Sequence, residues 1–376
     1  QEESQLAAVD LGSNSFRLEI AKYVSGHIEP LDSLRETVRL GGGMSKDKAL
    51  SLDSMARGWA CLERFAERIR GFDSHQVRVV ATQTLREASN RDVFISTAKR
   101  ILGHDVEVIA GQEEARLIFQ GVQAALPDFR ERRLVIDIGG RSTEIIIGSE
   151  KKALTLASFN VGSVSWSGKY FPAGILNRTH FDHAIVAAEA IFEEAVARFS
   201  ASQWDTAYGA SGTVGAVANM LKAAGLATDG ITRDDLHWLI NQLCKARHFD
   251  EINLQGLKDE RKSVIAGGIS ALYAAMNIFE IDSLHPTRGA LRHGVLAEIV
   301  NRETAVGDIR TRTVKHLMAR FRVDTEQARR VERVSLFLLD SIDPKGEIPA
   351  FMRLDLQWGS LLHELGALIS HVDSPM

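Results

Sequence analysis

Two short stretches repeat one chemistry-bearing spacing. In AAVDLGSNS at 7–15 and LVIDIGGRSTE at 134–144, an aspartate ends an aliphatic run and is followed by a glycine and a serine. The matched pairs are Asp10/Asp137, Gly12/Gly139 and Ser15/Ser142. A buried strand running into such a turn exposes successive backbone N–H groups, and glycine lets that backbone approach a phosphate closely. The hydroxyls of Ser13, Ser15, Ser142 and Thr143 add donors. A carboxylate just ahead of the turn repels phosphate unless a cation lies between them. Asp10 and Asp137 are therefore expected to ligate Mg²⁺, directly or through water. One copy is equally well explained by an aspartate capping its own turn. Two matched copies favour the phosphate reading and imply two related half-domains facing one another. Glu144, seven residues beyond Asp137, is a third carboxylate that could complete the metal site or orient water. A surface strand glutamate is its plainer alternative.

Further candidates are scattered along the chain. In AGQEEARLIFQG at 110–121, Glu113 and Glu114 fall in the first turn of a helix, where the helix dipole is reason enough for acidic residues. A glutamate beside a cleft could also accept a proton from an attacking water. ATQTLREASN at 81–90 offers Thr82, Thr84 and Arg86, the last a bidentate donor for phosphate oxygens. GASGT at 209–213 is a third strand-to-turn glycine site, contributing Ser211 and Gly212. KDERKS at 258–263 adds Arg261 and Lys262, and GALRHG at 289–294 adds Arg292. Each is weak alone. Together they gather cations and phosphate-friendly turns on a chain of net charge −4.

The elements that must hold these residues follow from the pattern. LAAVDLG and FRLEIAKYV are predicted strands around the first turn, with HIEPLDSLRETVRL continuing the sheet. A helix is predicted over 51–71, with a serine cap and a glycine stop. QVRVVAT and VEVIA are strands, and RDVFISTAKRILG and QEEARLIFQGVQAAL are helices. The theme then repeats: LVIDIGG, TEIIIGS and KALTLASF form a meander, followed by a long helix over about 181–201. After about residue 302 helices follow one another with no strand, a separate all-helical module expected to be incomplete.

A chain of 376 residues is too long for one ordinary core, which predicts two or three domains, with boundaries at 1–125, 126–302 and 303–376. With 45% hydrophobic and 25% charged residues it reads as soluble and globular. No apolar run is long enough to span a bilayer and no signal peptide opens the chain, so a cytoplasmic location is expected. The two cysteines, Cys61 and Cys244, are expected to be reduced. Net charge −4 argues against nucleic acid or anionic membrane as partners. The basic run FRERR at 129–133 reads as a solvated loop.

AAVDLGSNSFRLEI, ATQTLREASN, IAGQEEARLIFQGV, LVIDIGGRSTEIIIG, GASGT, ERKSVIAGG and GALRHGVL occur in an order that resembles the exopolyphosphatase/guanosine pentaphosphate phosphohydrolase (Ppx/GppA) family over about 6–300. The resemblance implies an α/β fold: two duplicated ribonuclease-H-like domains of the actin, heat-shock chaperone and sugar-kinase superfamily, flanking a cleft. The helical module resembles the HD-like domain of longer members. By the same resemblance, Glu114 is the base that activates water, and Asp137 and Glu144 belong to the acidic metal and water site. Arg86 is the phosphate-binding arginine. Ser13, Asn14 and Ser15, and Gly139, Gly140, Ser142 and Thr143, form the two phosphate loops; Ser211, Gly212 and Arg261 are expected, from their residue types, to add further phosphate contacts.

The metal set implied is Asp10, Asp137 and Glu144 with Mg²⁺, and K⁺ is a second candidate cation. The expected activity is an exopolyphosphatase that releases terminal orthophosphate from inorganic polyphosphate, as a homodimer. Alternatives are hydrolysis of guanosine pentaphosphate (pppGpp) to the tetraphosphate ppGpp, a phosphate-transferring kinase of the same superfamily, and a polyphosphate or alarmone sensor without turnover. One position departs from the family pattern. Arg141 stands where Gly-Gly-Gly-Ser or Gly-Gly-Ala-Ser is common; it is expected to point inward and grip a polyanion, the alternatives being that it points outward or obstructs the cleft. HELG near 363–366 lacks the His-Asp pair of an HD metal site, so the module is read as structural.

Overall fold

The computed structural model describes residues 4–24, 27–127, 131–150, 152–226, 229–304, 309–321, 323–343 and 348–365. Phe129 and Arg130 of the basic run, and Gly366 of HELG, lie outside the described residues. By contact the chain divides into Gln1–Ala297 and Glu298–Met376, a few residues ahead of the boundary read from composition.

The first unit contains two sheets of matching design. Strand β1 (Ser4–Leu11) forms an antiparallel hairpin with β2 (Ser15–Val24), which pairs with β3 (His27–Thr37). After α1 (Leu52–Arg68), β4 (Val77–Ala81) adds parallel to β1. The short α2 (Gln83–Glu87), then α3 (Arg91–Leu102), β5 (Val106–Val108) and α4 (Gly111–Ala125) complete this half. The sheet order is β3-β2-β1-β4-β5. Leu6–Val9 of β1 and the whole of β4 are buried, as strands covered on both faces require. Ser51 caps α1 by accepting from the Ser54 N–H. The buried stripe Met55, Leu62 and Phe65 of α1, with Phe94 of α3, packs against Phe16 and Leu18.

The second half repeats the plan with β6 (Arg132–Ile138), β7 (Thr143–Ser149) and β8 (Lys152–Phe159), then α5 (Ser163–Tyr170) and α6 (Arg178–Phe192). β9 (Thr206–Ala210) adds parallel to β6 and runs into α7 (Ser211–Ala223). β10 (Ile231–Thr232), α8 (Arg233–Ala246), α9 (Lys262–Ile278), β11 (Ser283–Pro286) and α10 (Leu291–Thr304) follow. The order β8-β7-β6-β9-β11 reproduces that of the first sheet, with β10 added at the edge. The duplication inferred from the two aspartate turns is a duplication of whole sheets. The long helix predicted over 181–201 is shorter. α6 stops at Phe192 and tightens into a 3₁₀ turn, Glu193–Arg198, as Phe199 docks on Phe279 at 5.8 Å.

In the second unit every element described beyond α10 is a helix: α11 (Ile309–Arg320), α12 (Thr325–Ile342) and α13 (Ala350–Leu361). Asp324 caps α12, accepting from the N–H groups of Glu326 and Gln327. Among the described residues no helix is long and apolar enough to cross a membrane. Cys61 and Cys244 are free thiols, Cys61 buried.

Candidate active site

The two sheets face one another across a cleft of about 420 Å³. Each aspartate reaches it in the same way. In the β1–β2 hairpin Asp10 pairs with Arg17, and in the β6–β7 hairpin Asp137 pairs with Glu144. The residue seven beyond each aspartate therefore stands beside it on the neighbouring strand, positive in one half and negative in the other. The two glycine turns meet at the floor. A Cβ on Gly140 would lie 2.8 Å from Ser13 Cβ, so only glycine permits the approach. At the third turn Ser211 is held at φ 80°, a left-handed conformation costly for serine, and its hydroxyl is buried without a partner. The Arg261 guanidinium lies over Gly212, occupying the space a side chain there would need.

Four carboxylates converge on this space, and burial dominates their electrostatics. Desolvation, then the charges of Glu144 and Asp10, push Asp137 up to about 8. Desolvation raises Asp10 to about 6, with Arg17 and Arg292 opposing it. Glu144 is raised to about 7 by burial, restrained by hydrogen bonds from Ser158 (2.8 Å) and Ser142. Glu114, 6% exposed at the start of α4, is raised well above the usual carboxylate range by burial and then by Glu144. The Arg86 guanidinium, 3.2 Å from Glu114 Oε2, pulls it back. An acid held between these pressures is suited to exchanging a proton with water.

Cations share the cleft with these carboxylates. Arg17, Arg261, Arg288 and Arg292 line the cleft with His293. Desolvation and then neighbouring arginines lower Arg17 and Arg261 to about 10. The same causes keep the His293 imidazole neutral, at about 4. Mutually destabilised cations lose that penalty when an anion arrives.

Of the residues singled out from sequence, Asp10, Ser13, Asn14, Ser15, Glu114, Asp137, Gly139, Gly140, Ser142, Glu144, Ser211, Gly212 and Arg261 line this one cleft. Arg86 stands behind Glu114. Two residues of the second glycine turn point elsewhere. Thr143 is fully buried, and its hydroxyl donates to the Val161 carbonyl at 2.6 Å, so it fastens the turn from beneath. Arg141, expected to point inward, does not line the cleft; its guanidinium joins Glu87 at 3.1 Å. Arg17, Arg288 and His293 were not anticipated. Arg17 had a signal, since it stands the same seven residues beyond Asp10 as Glu144 does beyond Asp137.

The three-carboxylate metal set is not gathered as expected. Among the described residues no three His, Cys, Asp or Glu side chains converge to hold a metal ion. The donors do fit an ion of the kind that takes one or two carboxylates and completes its shell with water and substrate phosphates. They are all oxygens, Asp10 Oδ1 is buried without a partner, and a cation would relieve the repulsion that Asp10 exerts on Asp137.

The model of the Ppx/GppA phosphatase family matches residues 19–303, and that of its domain III matches residues 309–374. The chain belongs to the Ppx/GppA phosphatase family. A guanosine-5'-triphosphate,3'-diphosphate pyrophosphatase of Photobacterium profundum is 37% identical over 382 residues, covering 98% of this chain and 76% of that protein. One of Vibrio atlanticus is 38% identical over 364 residues, covering 96% and 73%. The crystal structure of the Aquifex aeolicus Ppx/GppA family member superposes with a TM-score of 0.64 at 25% identity, covering 80% of this chain and 99% of that one. The fold is that of the Ppx/GppA phosphatases, with two ribonuclease-H-like halves.

Proposed function

We propose that this phosphatase removes the terminal 5'-phosphate of guanosine pentaphosphate, leaving guanosine tetraphosphate and orthophosphate. The activity named for its similar relatives, guanosine-5'-triphosphate,3'-diphosphate pyrophosphatase, supports this substrate over inorganic polyphosphate, the substrate favoured from sequence motifs. The observation that carries the chemistry is Glu114, a buried carboxylate raised above its usual range and facing two phosphate-suited turns and a wall of arginines.

The backbone N–H groups of the glycine turns and the guanidinia of Arg17, Arg261 and Arg292 take the oxygens of the triphosphate. Asp10 and Asp137 would hold Mg²⁺, which when bound offsets phosphate charge and draws electrons from the terminal phosphorus. Glu114 orients a water and accepts its proton as the water oxygen bonds to that phosphorus. The bridging P–O bond breaks, and its electrons leave with the tetraphosphate. The Arg86 guanidinium beside Glu114 opposes the upward push of burial and of Glu144, favouring the ionised form that accepts the proton.

The test is product analysis with pppGpp labelled in its terminal 5'-phosphate. Label appearing as orthophosphate, with ppGpp formed one for one, is expected. Label in pyrophosphate, or no release, overturns the reading.

A further inference from the structure

Arg141 follows Gly140 in the second glycine turn, yet its side chain leaves the cleft and crosses to the other half. Its Nη2 donates to Glu87 Oε2 on α2 at 3.1 Å, and the two side chains are only 21% and 17% exposed. The crossing is accommodated at both ends. A Cβ at Gly41 would stand 3.0 Å from Arg141 Cδ, and one at Gly162 would stand 2.4 Å from Arg141 N. Glycine at each place leaves room for the stem and the backbone.

Beyond Glu87 the contacts continue. Gln83 Nε2 donates to Glu87 Oε1, and also to Asn160 Oδ1 of the second half at 2.8 Å. Gln83 Oε1 accepts from Arg86 Nη2. Arg86 Nη1 donates to the Ile109 carbonyl at 2.6 Å and to Glu114 Oε2 at 3.2 Å. An unbroken chain of polar contacts thus runs from the second phosphate turn to the glutamate at the mouth of α4.

We propose that Arg141 is a positioning residue for the hydrolysis: it clasps α2 across the cleft and, through Glu87 and Gln83, fixes the Arg86 guanidinium against Glu114. The proposal rests on the reading of Glu114 as the base. Arg86 is a planar fork whose aim depends on what holds each nitrogen. One nitrogen has the rigid Ile109 carbonyl; the other has Gln83, a flexible amide aimed only while Glu87 and Asn160 occupy its NH₂. Arg141 also ties formation of this arrangement to apposition of the two halves, since it belongs to one and Glu87 to the other. A purely structural pair would affect melting and leave turnover of the folded enzyme alone.

The experiment compares Arg141→Met, which keeps most of the stem, Glu87→Gln, and the double variant. Steady-state release of phosphate from pppGpp and from polyphosphate is measured at temperatures where each variant remains folded. Each single change is expected to lower kcat by ~10- to 100-fold, as small misplacements of catalytic groups do, while KM moves by less than about twofold. The double variant should be within about threefold of the worse single variant, because both act on one chain of contacts. A kcat within about twofold of wild type for both singles, or fully additive losses in the double, overturns the clasp. A wild-type enzyme that spares pppGpp but cleaves polyphosphate defeats the substrate reading alone, and the clasp is then read from polyphosphate. A crystal structure of Arg141→Met decides it without any substrate: Arg86 is expected to have left Glu114, and an unmoved Arg86 overturns the proposal.

Discussion

The four cleft carboxylates set the chemistry at the scale of single residues. Glu114→Gln keeps the size of the side chain and removes its basicity, so hydrolysis should fall ~100- to 10,000-fold with substrate affinity little changed. Activity within about threefold of wild type would sink the base assignment. Asp137 supplies a pH prediction. Its folded-state pKa is raised from 3.8 to about 8, so the folded chain prefers the protonated acid. Such a group subtracts nothing below pH 4 and costs stability increasingly as pH climbs from there to about 8. The metal-free melting midpoint should therefore decline over this window, and Asp137→Asn should flatten the decline and raise stability near pH 8 by ~1 kcal/mol or more. Mg²⁺ should restore the wild-type midpoint near pH 8 and do little for the variant. A melting curve in which wild type and Asp137→Asn respond alike to pH and Mg²⁺ contradicts both the shift and the metal role.

At the scale of elements, the site is made by two strand–turn–strand hairpins brought face to face. Their turns touch at Gly140 and Ser13, where a methyl group would stand 2.8 Å from Ser13 Cβ. Gly140→Ala should push the turns apart at a strain of ~1–3 kcal/mol and lower kcat/KM by about tenfold or more. The change should scarcely alter the far-ultraviolet circular dichroism, because neither sheet depends on this contact. Unchanged kinetics would mean that the turns do not act together.

How much of this was legible in the sequence depended on how local each cause was. The paired Asp-x-Gly turns and the strands feeding them are written in adjacent residues, and Glu114 in the first turn of its helix. The cleft partners of Asp10 and Asp137 follow from hairpin register, so Arg17 was readable by the same spacing that flagged Glu144. Thr143 was misread because a hydroxyl in a turn serves equally well facing phosphate or fastening the backbone, and Val161 decides which. The direction of Arg141 was beyond reach, since it is set by Glu87, 54 residues earlier and on the other half. The break after α6 is likewise decided by a distant ring, Phe279.

At the scale of the whole molecule, the described residues that line the cleft all lie in the unit Gln1–Ala297. In that helical unit His363 lies 2.9 Å from the Ser360 carbonyl and 3.6 Å from Glu364, a pairing in keeping with a structural role. Arginines attract any linear polyanion, so charge alone does not separate a nucleotide from a polymer; the separation must show in turnover. The most direct measurement is therefore a competition. Equal concentrations of pppGpp and polyphosphate chain ends are offered together to wild-type enzyme and to Glu114→Gln with Mg²⁺, and the rates of ppGpp formation and of chain shortening are followed in the same sample. The account predicts that wild type consumes pppGpp at least about tenfold faster than chain ends, a margin of ~1.4 kcal/mol in transition-state binding, and that Glu114→Gln consumes neither. Faster chain shortening, or ppGpp formation that survives the loss of Glu114, would contradict it.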